Sequence, residues 1–219
     1  MKENSNLKLT IIDYGSSNLY SVINACKTFG IDPIVSSDHS IIENSDAVIL
    51  PGVGAFNEAM ANLEKLGLIE TIKNYIKSGK PFMGICLGLH LLFERSEEFG
   101  DTEGLGIIKG SIKKFPSDIN QNLKVPQIAW NTIQGSNNGN WEKSPLNSID
   151  QGTFMYFVHS FYVDAEDTEV ILSQTTYNSV TYCSSILKNS IFATQFHPEK
   201  SGNLGLEIYK NWFNNIKNN

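Results

Sequence analysis

The chain has 219 residues, 41% of them hydrophobic and 18% charged, with a formal net charge of -6. That composition describes a globular chain with enough apolar residues for one α/β domain with a sizeable core, or at most two small ones. An acidic balance without a basic run argues against a nucleic-acid surface, and no apolar stretch is long enough to span a bilayer.

The N-terminus, Met1 to Asn6, is polar and lacks a signal-type apolar core. Cys26, Cys86 and Cys183 form no CxxC and leave an odd count, which predicts a reducing, cytoplasmic setting. No His/Cys cluster has zinc spacing, so neither a metal nor another cofactor is expected.

In chain order, Leu7 to Ile12 reads as a strand ending at Asp13-Tyr14-Gly15. A helix follows with Leu19, Val22, Ile23, Cys26 and Phe29 on one face and Gly30 as its stop. Ile31 to Val35 is the next strand, and Ser37 or Asp38 caps a short helix through Ile42. Asp46 to Leu50 is a buried strand running into Pro51-Gly52-Val53-Gly54, a loop whose backbone N–H groups can hold an oxyanion. Helices are predicted over Glu58 to Lys65 and Leu68 to Lys77.

Next comes Lys80-Pro81-Phe82-Met83-Gly84-Ile85-Cys86-Leu87-Gly88-Leu89-His90. An apolar run ends in a thiol with a glycine two positions to either side, and Leu89 to Glu94 then reads as helix. Strand, reactive side chain and helix make a nucleophile elbow, in which the glycines allow a sharp turn. The alternating β-α units predict a mostly parallel sheet with helices on both faces.

After Gly104-Leu105-Gly106 the pattern turns to closely spaced strands: Ile107 to Phe115, Val125 to Trp130, Phe154 to Val163, Val170 to Gln174, Val180 to Leu187 and Ser190 to Gln195. Gln134 to Asn140 reads as a polar surface loop. From Ser201, Leu204, Ile208, Trp212 and Ile216 mark a closing amphipathic helix.

Just before that helix lies Gln195-Phe196-His197-Pro198-Glu199-Lys200-Ser201. In extended chain, residues two apart share a face, so the His197 imidazole and the Glu199 carboxylate can serve one centre. Glu199 orienting His197, and His197 deprotonating Cys86, is nucleophile–base–orienter logic.

These motifs resemble the class I glutamine amidotransferases and, within them, the HisH family, the glutaminase subunits of imidazole glycerol phosphate synthases. The resemblance rests on Ile12-Asp13-Tyr14-Gly15 with Asn18-Leu19, Leu50 to Phe56, Gly84-Ile85-Cys86-Leu87-Gly88, and Leu91 to Glu94 with Ser96-Glu97-Glu98. It continues through Lys124-Val125-Pro126 with Trp130-Asn131, Tyr156 to Ser160, and Gln195 to Ser201, in family order over nearly the whole chain.

The resemblance implies a flavodoxin-like α/β fold, one amidotransferase domain over residues 1–219, and hydrolysis of L-glutamine by Cys86, His197 and Glu199. Backbone N–H groups of Gly52, Val53 and Leu87 would form the oxyanion hole, and His90, Glu98, His159, Ser160 and Phe161 would hold the glutamine. Asn18, Tyr156 and Lys200 would face a HisF-type (β/α)8 cyclase, giving a heterodimer in which ammonia converts PRFAR to imidazole glycerol phosphate and AICAR in histidine biosynthesis. It also implies glutamine hydrolysis that stays weak until the cyclase binds its ligand.

The sequence departs from the family pattern at His90, where Gln is usual, at Gln127 and Ala129, and at Ser16-Ser17. These changes keep open a second acceptor, an amidino sugar of surface-glycan synthesis, reached through a paralogous barrel. The last two sets are expected on the partner-facing side.

Overall fold

The computed structural model describes residues 7–15, 19–116, 124–137 and 139–218. The first half alternates as predicted: β1 (Leu9–Ile12), α1 (Leu19–Lys27), β2 (Ile34–Ser36), α2 (His39–Glu43), β3 (Ala47–Gly52), α3 (Phe56–Lys65), α4 (Leu68–Lys77), β4 (Phe82–Cys86) and α5 (Leu87–Leu91). There follow β5 (Phe93–Ser96), β6 (Thr102–Glu103), β7 (Ile108–Lys114), β8 (Gln127–Thr132), β9 (Gln134–Gly135), β10 (Phe154–His159) and β11 (Phe161–Ala165). β12 (Ile171–Tyr177), β13 (Val180–Lys188), β14 (Ile191–Thr194) and α6 (Gly202–Asn218) complete the chain.

The strands form a 12-stranded mixed sheet in the order β2-β1-β3-β4-β14-β13-β11-β7-β5-β6, with β12 and β9 branching from β13. Neighbours from β2 to β14 are parallel; β13, β11 and β12 pair antiparallel. β1, β3 and β4 are buried along their whole length. A parallel strand covered on both faces needs the continuous apolar run that Leu-Thr-Ile-Ile and Ala-Val-Ile-Leu supply.

Alternation then divides each strand between two layers. Val48 and Leu50 pack with Phe56, Leu63, Leu68 and Ile72 of α3 and α4, whereas Ala47 and Ile49 pack with Val22 and Cys26 of α1 and with Tyr209 and Trp212 of α6. The sheet thus holds its helices on both faces, and the carboxyl ends of β3, β4 and β14 meet where the site residues cluster.

Three local expectations change. The helix after Cys86 stops at Leu91, and Phe93 begins a strand, because Phe93 pairs in parallel with Ile108 of β7. Phe154 to Val163 is two strands, broken at Ser160: β10 pairs only with β8, and β11 crosses into the main sheet. Gln134 and Gly135 are a short strand on β12 rather than free loop.

Candidate active site

Cys86 ends β4 with φ 55 and ψ -107, a conformation that costs a non-glycine residue about 1–3 kcal/mol. The strain falls on the cysteine itself. Gly84 and Gly88 have ordinary φ and serve close packing instead: a side chain on Gly88 would overlap the Leu50 carbonyl, and one on Gly84 would meet the Gly88 backbone at 3.0 Å. The two glycines let α5 press onto β3 and β4 so that the thiol stands at their edge.

His197 follows β14. Its backbone N–H donates to Tyr156 O at 2.9 Å, and the Ser201 hydroxyl donates to His197 O at 2.7 Å. Pro198–Lys200 is a 3-10 turn, not extended chain. The turn, rather than strand alternation, brings Glu199 Oε1 to 2.7 Å from His197 Nδ1, with the two side chains 1% and 2% exposed. With Nδ1–H donating to the carboxylate, Nε2 is the ring nitrogen left to take up and give back a proton.

That Nε2 is buried and, among the described residues, makes no hydrogen bond of ordinary geometry, yet the Cys86 sulfur is close enough to raise its proton affinity. Burial opposes the imidazolium, but the Cys86 sulfur and the Glu199 carboxylate outweigh it and hold the His197 pKa up at about 10. The environment therefore favours the protonated imidazole of His197.

Beside the thiol lies a cavity of about 200 Å³ lined by Cys86, Leu87, His90, Glu98 and the His159–Phe161 stretch. It is smaller than the roughly 300–1,000 Å³ typical of drug-sized ligands. Glu98 Oε2 accepts the Phe56 N–H at 2.8 Å, and burial raises its pKa. His159 Nδ1 meets Phe161 O at 2.8 Å and Nε2 meets the Tyr182 hydroxyl at 3.2 Å, so its ring is spent on the scaffold and only its backbone borders the cavity freely. Burial pushes His159 down to about 3 and His90 to about 4, which keeps both neutral.

Leu87 borders the thiol's cavity. Gly52 and Val53 instead line a separate void of about 10 Å³ with His197 and Glu199; Gly54, at φ 110, is the loop residue that reaches the cavity. Tyr156 is half-buried with its ring 6.4 Å from His197, and Lys200 is exposed on the adjoining turn. Asn18 lies outside the described residues. Gln127, expected on the partner side, is fully buried and accepts from the Tyr182 hydroxyl.

Sequence reasoning passed over Gln195, whose side chain reaches both His90 and Cys86. Its position two residues before His197 was the available signal.

The family described as "Glutamine amidotransferase class-I" matches residues 10–216. The chain is 43% identical over 207 residues to "Imidazole glycerol phosphate synthase subunit HisH" of Aquifex aeolicus, covering 94% of this chain and 96% of that one. It is 44% identical over 207 residues to the protein of the same name from Caldanaerobacter subterraneus subsp. tengcongensis, covering 94% and 98%. Among solved structures, "Structure of PurLQS from Thermotoga maritima" matches with a TM-score of 0.73 at 18% identity, covering 96% of this chain and 99% of that chain, a likeness of fold alone. An elbow cysteine facing a buried His–Glu pair on this sheet agrees with those matches: the chain belongs to the class I glutamine amidotransferases and, within that family, groups with the HisH subunits of imidazole glycerol phosphate synthase.

Proposed function

We propose that the chain is the ammonia-supplying half of an imidazole glycerol phosphate synthase. Cys86 is its nucleophile, His197 its base and Glu199 the orienter of that base. The observation that carries the reading is the 2.7 Å His197–Glu199 pair buried behind a strained cysteine at the mouth of a small cavity.

The reaction follows from the geometry. Cys86 Sγ attacks the carboxamide carbon of L-glutamine, and its proton resides on His197 Nε2. The tetrahedral oxyanion takes the Leu87 N–H, with Gly52 and Val53 as further donors once their loop turns toward the cavity. Each such donor is worth about 3–4 kcal/mol. His197 returns the proton to the leaving nitrogen, ammonia departs and a glutamyl thioester remains. Water, activated by His197 Nε2, hydrolyses the thioester to glutamate. Glu98, which lines the cavity and has one oxygen held by the Phe56 N–H, suits the α-ammonium of the substrate through the other.

A partner is supported by the exposed face of the two-stranded β8–β10 sheet. Ile128, Trp130 and Phe154 are 60%, 52% and 58% exposed there, and the strand register places Tyr156 opposite Trp130. A contiguous apolar patch of this kind beside a catalytic centre marks a protein interface, here for the HisF-type (β/α)8 cyclase that uses the ammonia. PRFAR conversion to imidazole glycerol phosphate and AICAR takes place on that subunit.

The test is glutaminase activity of the purified chain, alone and with the cyclase plus PRFAR. Strong stimulation, abolished in Cys86→Ala, is expected. A chain that ignores this cyclase but responds to a paralogous barrel would redirect the ammonia to an amidino-sugar acceptor.

A further inference from the structure

Gln195 is fully buried at the end of β14, where its backbone N–H donates to Ser184 O at 2.9 Å. Among the described residues its carboxamide has two partners. His90 Nε2 lies 2.7 Å from Gln195 Oε1, and Gln195 Nε2 lies 3.8 Å from Cys86 Sγ. Burying an amide costs free energy that an apolar side chain of the same shape avoids. Here both ends of the amide are spent on the catalytic cleft.

Elementary hydrogen-bond chemistry fixes the protons. An amide oxygen only accepts, so His90 Nε2 carries the hydrogen, and a neutral ring then leaves Nδ1 bare. Turned over, the amide would present its NH₂ to His90, which would then have to take the Nδ1–H tautomer, and would set its oxygen against the sulfur, where it repels a thiolate. His90 sits four residues after Cys86 on the elbow side, so a chain from His90 through Gln195 to Cys86 ties the end of β14 across the elbow. His197 is two residues further along the same segment. One stretch of backbone thus presents the nucleophile with a base and with an N–H donor. The other titratable groups nearby are Glu98 and His159, which line the same cavity, Tyr182, which feels the Cys86 charge, and Glu199 behind His197.

We propose that Gln195 is a positioning residue for the nucleophile: its amide N–H holds the Cys86 sulfur in the ionised form, and His90 locks the amide in the orientation that does so. The proposal rests on Cys86 being the nucleophile. It also accounts for a histidine at position 90, since either imidazole or carboxamide there can donate the N–H that the lock requires.

The experiment is the pH dependence of Cys86 alkylation by iodoacetamide in the full chain, with the modified site located by mass spectrometry. Cys26 and Cys183 are buried and away from the cavity. Loss of the donor in Gln195→Met, or of the lock in His90→Leu, raises the alkylation midpoint by about one pH unit and slows alkylation at neutral pH roughly tenfold. The isosteric Gln195→Glu keeps the shape, places an anion at the sulfur and raises the midpoint further. His90→Gln restores the wild-type midpoint, which a packing role alone would not predict. Melting midpoints establish that each variant is folded.

Unchanged midpoints in Gln195→Glu and His90→Leu overturn the proposal while leaving the nucleophile assignment intact. Full glutaminase activity in Cys86→Ala overturns both.

Discussion

At the scale of single residues, the site depends on which groups hold protons. Glu199 accepts from His197 Nδ1 and so presents Nε2 to the sulfur. Glu199→Gln keeps the shape but lets the amide NH₂ oppose that N–H, favouring the wrong tautomer. Stimulated kcat is expected to fall by about 10³–10⁴, with a smaller change in KM, in a steady-state glutaminase assay. His90 and His159 work in the other direction. Their folded pKa values, about 4 and about 3, lie below the ordinary 6.5. Between these limits the unfolded chain binds protons that the folded chain refuses, so their contribution to stability is complete above pH 6.5 and is lost as pH falls toward 4. Each contributes a slope of up to about 1.4 kcal/mol per pH unit. Glu98, with its raised value, opposes this trend; His197, held up at about 10, contributes stability that is complete below pH 6.5 and is lost only as pH rises toward 10, so it is flat over this window. Urea midpoints measured from pH 7 to 4.5 should fall less steeply in His90→Gln than in wild type, because one proton uptake is gone. Cys86, His197 and Glu199 were readable in the sequence because thiol, imidazole and carboxylate carry chemistry at any address. Gln195 was not, because an amide declares a role only through its neighbours.

At the scale of elements, the elbow is the decisive piece. The sequence pattern places strand, cysteine and helix in the right order, but it misassigns the duty of the glycines. They answer to the neighbouring chain rather than to the turn, since Gly88 abuts the Leu50 carbonyl of β3 and Gly84 faces Gly88. Gly88→Ala therefore has no side-chain tip to displace and must push α5 off β3, a shift that costs about 1–3 kcal/mol or more. A melting midpoint lower by several degrees, together with reduced Cys86 alkylation, is the expected result; an unchanged thiol with normal stability would show that the elbow has slack. The short α5 was hidden for a related reason. Leu89 to Glu94 has helical pattern, yet pairing of Phe93 with Ile108 draws the chain into β5, and such tertiary pairing leaves no mark in a local window. The His197–Glu199 contact was legible as a spacing, although a 3-10 turn rather than an extended face produces it.

At the scale of the whole molecule, the exposed apolar face proposed for docking and the proposed catalytic centre share one strand. β10 carries Phe154 and Tyr156 on the exposed face of the β8–β10 sheet, while its carbonyls lie at the site: Tyr156 O accepts from His197 N at 2.9 Å, and Val158 O lies 3.8 Å from Cys86 Sγ. A barrel seated on Trp130 and Tyr156, whose rings are 6.1 Å apart, would bear on the backbone that positions both base and nucleophile. Such a contact would give partner binding a short mechanical route to turnover, beside a turn of the Gly52–Gly54 loop toward the cavity. Trp130 is the residue to remove. A large aromatic at the centre of such a patch is the usual anchor of an interface, and its truncation typically costs 2 kcal/mol or more, roughly a thirtyfold loss of affinity. Trp130→Ala is expected to weaken cyclase binding by about that factor in a titration calorimetry experiment. If the β10 route carries the coupling, stimulation at saturating cyclase also falls. Full stimulation at saturation, with only the affinity reduced, would assign the coupling to the glycine loop instead.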